Sequence, residues 1–91
     1  MANKGSVSCS ATISSAFGND EGPRDLVLQN VGSSNVFVHW DTAEVDKGLR
    51  IAPGESVCTK YLPDIWRGQI GTNGLTAICD TGETSTLLWS A

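Results

Sequence analysis

The stretch RDLVLQNVGSSNVFVHWD, residues 24–41, carries the clearest structural pattern in this chain. Two short runs within it, residues 26–31 and 36–40, place apolar side chains on alternating sides and are rich in β-branched and aromatic residues, as strands are. Between them, the residues GSSN at 32–35 are types that suit tight turns. The stretch therefore predicts an antiparallel hairpin in which residues 32–35 form the loop and set the strand register.

Both faces of this predicted hairpin carry apolar side chains. Leu26 and Leu28 point to one face, and Val27 and Val31 point to the other. A strand that is buried on one side only would alternate apolar with polar residues. We therefore expect one face to lie on the domain core and the other to meet a second layer or a partner.

The rest of the chain repeats strand and turn signals about every ten residues. Further strands are expected at residues 6–14, 49–51, 56–61 and 84–90, with a pair of short strands inside 68–82 around Thr72, Asn73 and Gly74. Pro53 and Gly54 fit the central positions of a type II turn. Residues 42–48 are expected to form one helical turn and residues 62–68 a loop or short helical turn, since no longer window has a helical period.

These signals predict an all-β protein, a small β-sandwich or barrel of about six to eight short, mainly antiparallel strands. A length of 91 residues corresponds to one domain, residues 1–91. Residues 24–91 are expected to form the sandwich core, and residues 1–23 an additional strand or an arm.

Composition excludes several classes of partner. The chain has six Lys and Arg against ten Asp and Glu, a formal net charge of −4, and its basic residues are dispersed. Nucleic-acid binding requires a concentrated basic patch, so nucleic acid is not an expected partner. Apolar runs are far shorter than a membrane span, and MANKGSVSCS at the start lacks the apolar segment of a secretory signal. We expect a protein that is made in the cytoplasm and has no membrane partner.

The cysteines and the single histidine are the candidates for metal or cofactor chemistry. Cys9, Cys58 and Cys79 are odd in number and have no CxxC spacing, which is atypical of a disulfide framework and favours reduced thiols. Structural zinc sites usually pair their ligands two to four residues apart, and these three cysteines with His39 do not. No metal and no cofactor is therefore expected.

A catalytic interpretation would have to use His39. Cys58, His39 and Asp41 could be drawn as a nucleophile, a base and an orienting carboxylate. Any chain with one histidine and one cysteine allows such a drawing, however, and a catalytic motif requires its structural context. We expect a structural His39 and no enzymatic activity.

Aromatic side chains are the residues best able to supply binding energy. Trp66 lies within LPDIWRG, residues 62–68, and Arg67 follows it. A tryptophan in a polar loop is hard to explain without a partner. Trp66 and Arg67 are therefore the expected partner-binding residues, together with Trp40, and Trp66 is the expected anchor.

Two segments also carry a family resemblance. RDLVLQNVGSSNVFV at 24–38, a polar loop, GLRIAPGES at 48–56 and a closing strand resemble small accessory virion proteins of tailed bacteriophages, over about residues 24–91. The positions that carry the resemblance are turn and core residues: Arg24, Leu26, Leu28, Asn30, Gly32, Asn35, Val36, Val38, Gly48, Ile51, Pro53 and Gly54. The resemblance implies a compact β-domain that decorates the head or sits on tail parts, and it carries over no catalytic residue.

The resemblance implies a structural virion protein, assembled in the host cytoplasm. The leading hypothesis is a capsid decoration or cement protein that binds the major capsid protein or another virion protein, as a homo-oligomer on the particle. A tail or baseplate component is the alternative, and a carbohydrate-binding module that uses Trp40 or Trp66 is a second. Because so small a domain has one thin core, we expect a partner chain to bury some of Val27, Val36 and Leu88.

Overall fold

The computed structural model describes residues 4–18 and 25–90 of the chain. Seven strands and one α-helix lie in this part: β1 Lys4–Cys9, β2 Val27–Asn30, β3 Val36–His39, β4 Leu49–Ile51, β5 Ser56–Cys58, α1 Asp64–Asn73, β6 Thr76–Ile78 and β7 Ser85–Ser90. A short 3-10 helix, Thr59–Tyr61, precedes α1. Residues 1–3 and 19–23, part of the predicted N-terminal arm, lie outside the described residues.

The strands form two antiparallel sheets, so the all-β prediction is confirmed. The four-stranded sheet has the order β1-β7-β2-β5, and the three-stranded sheet has the order β4-β3-β6. The apolar side chains between them form the main core, namely Cys9, Phe17, Leu26, Leu28, Val36, Val38, Ile51, Trp66, Ile70, Leu75, Ala77, Cys79 and Leu87. The architecture is that of a small β-sandwich with one helix packed into its core.

The chain changes sheets after most strands. After β1 it passes to the three-stranded sheet, where residues 10–17 run along the edge of β6: Ser14 N–H donates to the Ala77 carbonyl at 2.9 Å, and Cys79 N–H donates to the Ser10 carbonyl at 2.7 Å. β2 then belongs to the four-stranded sheet, β3 and β4 to the other, and β5 to the four-stranded sheet again. The connections at residues 32–35 and 52–55 each cross from one sheet to the other. They therefore help to hold the two sheets together.

The predicted hairpin at 24–41 is wrong, although its two strands exist. β2 pairs with β5 and β7, whereas β3 pairs with β4 and β6. Residues 32–35 therefore arch from one sheet to the other. The predicted alternation is confirmed within β2, since Leu28 is fully buried and Val27 is 46% exposed.

The side chain of Asn30 explains why the connection arches. Its amide group donates to the carbonyls of Ser34, at 2.7 Å, and of Ile51, at 2.8 Å, and its carbonyl accepts from Gly32 N–H at 3.0 Å and from Ser85 Oγ at 2.7 Å. All four hydrogen-bonding positions of the fully buried amide are thus used. A hairpin would leave this polar group without these partners in the core.

The turn between β4 and β5 has the predicted type II form but joins the two sheets. Gly54 has φ 84°, and Glu55 N–H donates to the Ala52 carbonyl at 3.0 Å. Gly54 N–H also donates to the backbone carbonyl of Asn30 at 2.8 Å. The two crossovers therefore meet at Asn30.

The helix α1 replaces a segment for which the sequence predicts a loop or short helical turn at residues 62–68, followed by a strand. Residues 68–73 are helical, not extended, and the predicted strand pair is reduced to β6. Trp66 and Ile70 are four residues apart on one side of α1 and both are buried, which is the amphipathic arrangement that stabilises a short helix in its tertiary setting. Leu75, Ala77 and Cys79 are all buried.

The remaining predicted elements differ mainly at their ends. β1 begins at Lys4 and ends at Cys9 rather than covering 6–14, and Ile13 is exposed. The strand predicted at 56–61 ends at Cys58, and the last strand begins at Ser85. Residues 42–44 are irregular and residues 45–48 form a turn and a bend, so the predicted helical turn is absent.

Candidate partner-binding face

The two sheets differ in what covers their outer faces. Phe37 and Ile78 lie on the outer side of the three-stranded sheet, where Ala43 and Val45 of the following loop pack on them. Ala43 N–H donates to Oγ1 of Thr76 at 3.0 Å, which fastens this loop to β6. The loop after β3 is therefore the second layer that the apolar outer residues of β3 require.

On the four-stranded sheet, no described residue forms such a second layer. Val27 is 46% exposed, Val31 is 50% exposed and Leu88 is 39% exposed. The strand registers place eleven side chains on this side, which we call the outer face: Lys4, Ser6, Ser8, Val27, Gln29, Val31, Ser56, Cys58, Thr86, Leu88 and Ser90. Of the three residues expected to be buried by a partner chain, Val27 and Leu88 are exposed in this chain, whereas Val36 is fully buried in its own core.

The outer face is poor in charge. Lys4 is its one ionisable side chain apart from the Cys58 thiol, although the chain has sixteen Lys, Arg, Asp and Glu residues. Val27 and Leu88 lie at its centre among short hydroxyl side chains. Depletion of charge with apolar side chains at the centre is the composition of protein–protein interfaces.

A shallow groove of about 400 Å³ crosses the outer face. Its lining comes from three adjacent strands: Lys4, Gly5, Ser6, Val27, Gln29, Leu88, Trp89 and Ser90. The Trp89 indole lies against Gly5, where a Cβ would be 2.8 Å from Nε1. Gly5 thus makes room for a tryptophan whose ring also packs against Phe17, 6.2 Å between centroids.

The predicted anchor, Trp66, is not an exposed loop residue. It lies in α1, is 9% exposed and belongs to the main core. The prediction was wrong on this point because residues 64–73 are helical, and the helix turns Trp66 inward with Ile70. Arg67 is part of α1, and its side chain lies outside the described residues.

The other predicted aromatic residue, Trp40, is half-buried and packs against the main core. His39 lies between the two tryptophans, with ring centroids 4.7 Å from Trp40 and 5.5 Å from Trp66. Trp40 and Trp66 are thus brought to the same aromatic cluster, but not to the outer face.

The residues of the hypothetical catalytic trio are placed differently from a triad. His39 Nδ1 accepts a hydrogen bond from the backbone N–H of Asp41 at 3.0 Å, a contact with the backbone of Asp41 and not with its carboxylate. Cys58 lies on the outer face of the other sheet. The hydrogen bond of His39 to the Asp41 backbone is therefore a local structural contact.

All three cysteines are free thiols, and two of them are buried. Burial raises the pKa of Cys9 to about 12, and the neighbouring Cys79 thiol adds to the rise. Burial also raises the pKa of Cys79. Both groups therefore remain neutral side chains of the core at ordinary pH.

Residues 4–18 and 25–90 contain neither a cluster of metal-ligating side chains nor a helix that could cross a membrane. No group of three or more His, Cys, Asp or Glu side chains within these ranges is arranged to hold a metal ion. Within the same ranges, α1 is too short and too polar to span a bilayer, and no other helix is long and apolar enough to do so.

Comparison with known proteins adds no relative. No protein-family model, no curated protein and no solved structure matches this chain.

Proposed function

We propose that this protein is a non-enzymatic structural component of a tailed-phage virion, a decoration or cement protein that binds the outer surface of the head through its outer face. The observation that carries the binding role is the contrast between the two sheets. One has its outer apolar residues covered by the loop at 41–48, and the other leaves Val27, Val31 and Leu88 exposed. The virion context rests on the resemblance of residues 24–91 to phage accessory proteins.

The shape and chemistry of the outer face suit a modest contact that is repeated many times. Ser6, Ser8 and Ser90 are short, so a partner surface can approach the sheet closely. Burying an exposed aliphatic side chain such as Leu88 contributes about 1 to 2 kcal/mol. A contact of this size becomes effective when many copies bind one shell and each bridges neighbouring subunits.

The alternatives differ in what they require. A carbohydrate-binding module needs exposed aromatic rings for stacking, whereas Trp40 is half-buried and Trp66 is buried. A tail or baseplate component would use the same kind of protein-binding face as a head protein. Copy number in purified particles separates these cases, since hundreds of copies indicate the shell and about a dozen or fewer the tail.

The binding role is tested with particles assembled without this protein and then incubated with purified variants. Leu88→Asp places a charge at the centre of the outer face and is expected to abolish retention on the particle. Ile65→Asp is the matched control, because Ile65 is 52% exposed on α1, away from this face. Retention of the Leu88 variant at the wild-type level, with its fold intact, would exclude the outer face as the binding surface.

A heat-stability measurement tests the cement role. Particles that contain the protein are expected to release DNA at a higher temperature than particles that lack it. Equal release temperatures would leave a decorating role without a stabilising one.

A further inference from the structure

Strand β1 forms one edge of the four-stranded sheet, and the hydrogen-bond pattern identifies which of its backbone groups face outward. Val31 N–H donates to the Thr86 carbonyl at 3.0 Å, so residues 86, 88 and 90 bond to β2. Backbone groups alternate in direction along a strand. Residues 85, 87 and 89 therefore bond to β1, where their partners are Cys9, Val7 and Gly5.

The remaining residues of β1, Lys4, Ser6 and Ser8, direct their N–H and C=O groups away from β7. Ser10 has the same direction, and its carbonyl accepts from Cys79 N–H at 2.7 Å. That bond closes the edge at Ser10. Among the described residues, none pairs with the backbone of Lys4, Ser6 and Ser8 on this side, which we call the open edge.

The other sheet edges are shorter or covered. The second side of β6 is occupied by residues 10–17. β4 and β5 have three residues each, and the turn at 52–55 follows the first and precedes the second. Short and covered strands are the usual protection against unwanted pairing. β1 has six residues and contains no proline, and Lys4 is its one charged residue.

We propose that the open edge of β1 pairs antiparallel with the open edge of a second copy of this chain, with the two-fold axis at Ser6. This register places Lys4 opposite Ser8 of the second copy, Ser6 opposite Ser6, and Ser8 opposite Lys4. Each of these pairs exchanges two backbone hydrogen bonds, about six in all. A two-fold interface of this kind is the commonest way in which identical chains associate.

The composition of β1 favours this self-pairing over other registers. The two Lys4 residues are four strand positions apart, about 13 Å, so their charges are largely screened from each other. A shift that pairs Ser6 with Ser8 would bring Lys4 opposite Ser10, whose carbonyl is already bonded to Cys79. A shift in the other direction uses only part of the open edge. The register centred on Ser6 gives a hydrogen-bond partner to every backbone N–H and C=O group of the open edge.

Pairing at β1 would join two four-stranded sheets into one sheet. The two outer faces would then lie on the same side of the joined sheet, because the two-fold axis at Ser6 is perpendicular to the sheet. Pairing at this edge is independent of the proposed virion role.

Proline substitution at an outward-facing N–H tests the pairing and leaves the hydrogen bonds within the chain in place. Ser6→Pro removes an N–H that points away from β7, and proline is tolerated at such edge positions. Ser56→Pro is the matched control on the opposite edge. Asn30 N–H donates to the backbone carbonyl of Glu55 at 3.0 Å, so the backbone groups of Val57 face β2 and the Ser56 N–H faces outward. Sedimentation is measured from micromolar to millimolar concentration, after circular dichroism has verified the fold.

The wild type and Ser56→Pro are expected to reach twice the mass of the 9.6 kDa chain over this range, and Ser6→Pro is expected to stay monomeric. A wild type that remains monomeric at millimolar concentration overturns the proposal. So does a folded Ser6→Pro variant that dimerises as the wild type does.

Amide hydrogen exchange of the wild type provides a second test that needs no variant. The Ser6 and Ser8 amides are expected to exchange about tenfold more slowly when nine-tenths of the chains are paired, because exchange then proceeds from the monomer. Ser56 and Cys58 amides on the opposite edge are expected to show no such dependence on concentration. Exchange at Ser6 and Ser8 that is equally fast at all concentrations would contradict the pairing.

Discussion

Ser85 Oγ donates a buried hydrogen bond of 2.7 Å to Oδ1 of Asn30. The bond links β7 to the end of β2, where the chain leaves the four-stranded sheet. The same Asn30 side chain holds the carbonyls of Ser34 and Ile51. One amide therefore links two of the connections between the sheets, residues 32–35 and 52–55, to β7.

Asn30→Asp is predicted to destabilise the fold by about 3 kcal/mol or more. Aspartate keeps the shape but cannot donate to the two carbonyls, and it places a buried charge beside them. Ser85→Ala, the matched control, removes one of the four bonds and is expected to cost about 1 kcal/mol. Urea unfolding measures both variants. Equal losses for the two would show that the donors of Asn30 contribute little.

Gly32→Ala is predicted to destabilise more than Gly54→Ala. A Cβ on Gly32 would lie 2.6 Å from the Thr86 backbone nitrogen, so the arch would have to move away from β7. Gly54 has φ 84° but open space around its Cβ position, so alanine there costs the conformational strain alone, about 1 kcal/mol. Thermal unfolding of the two variants gives the order. A larger loss at Gly54 would argue against close packing of the arch on β7.

Local pattern predicted the strands better than it predicted their partners. Leu28 and Leu87 are buried while Val27 and Leu88 are exposed, as alternation indicates. Pairing depends on where the connection leads, and residues 32–35 suit a hairpin and an arch equally well. The deciding residue was Asn30, a polar side chain at an inward position whose partners, such as Ile51 and Ser85, are distant in sequence.

The helix was missed for a different reason. DIWRGQIGTN contains two glycines, a threonine and an asparagine, all weak helix formers. The signals that could have indicated it are Pro63 and Asp64 at the start, Gly74 at the end, and the four-residue spacing of Trp66 and Ile70. A polar loop at residues 62–68 would expose Trp66 to a partner, whereas the helix buries it in the core.

Thiol reactivity is predicted to separate the cysteines. In the native protein at pH 8, Cys58 is expected to react with a disulfide reagent, since it is half-buried on the outer face, while Cys9 and Cys79 do not react. All three are expected to react after denaturation. Native reaction of more than one thiol per chain would contradict the burial of Cys9 and Cys79.

Alkaline pH should also weaken the fold through Cys9. Its pKa is raised from 9.0 to about 12 in the folded protein, so the folded state holds the thiol proton more tightly than the unfolded state. The resulting stability is present below pH 9 and is lost between about pH 9 and 12. Cys9→Ala is expected to reduce this slope in urea unfolding at increasing pH, and an unchanged slope would contradict the contribution of Cys9.

Trp66→Ala is predicted to lower the free energy of unfolding by about 3 kcal/mol or more, because it removes a buried aromatic ring from the core. Ile65→Ala is the control at the neighbouring position, which is 52% exposed, and it should change stability by less than about 1 kcal/mol. Urea unfolding compares the two. A fully stable Trp66 variant would place this side chain outside the core.

Gly68→Ala is predicted to stabilise the protein by about 0.5 to 1 kcal/mol. Gly68 lies inside α1, its residue is exposed, and a Cβ there would have no heavy atom within 4 Å. Alanine loses less backbone entropy than glycine on entering a helix. Gly74→Ala is the matched control at the end of the same helix, where φ is 72° and alanine is strained, so it should destabilise. Thermal unfolding is expected to move in opposite directions for the two variants. A destabilising effect of Gly68→Ala would contradict a helical backbone at residues 64–73. Alanine in place of glycine destabilises a segment only where the backbone can be neither helical nor extended, or where there is no space for the Cβ atom.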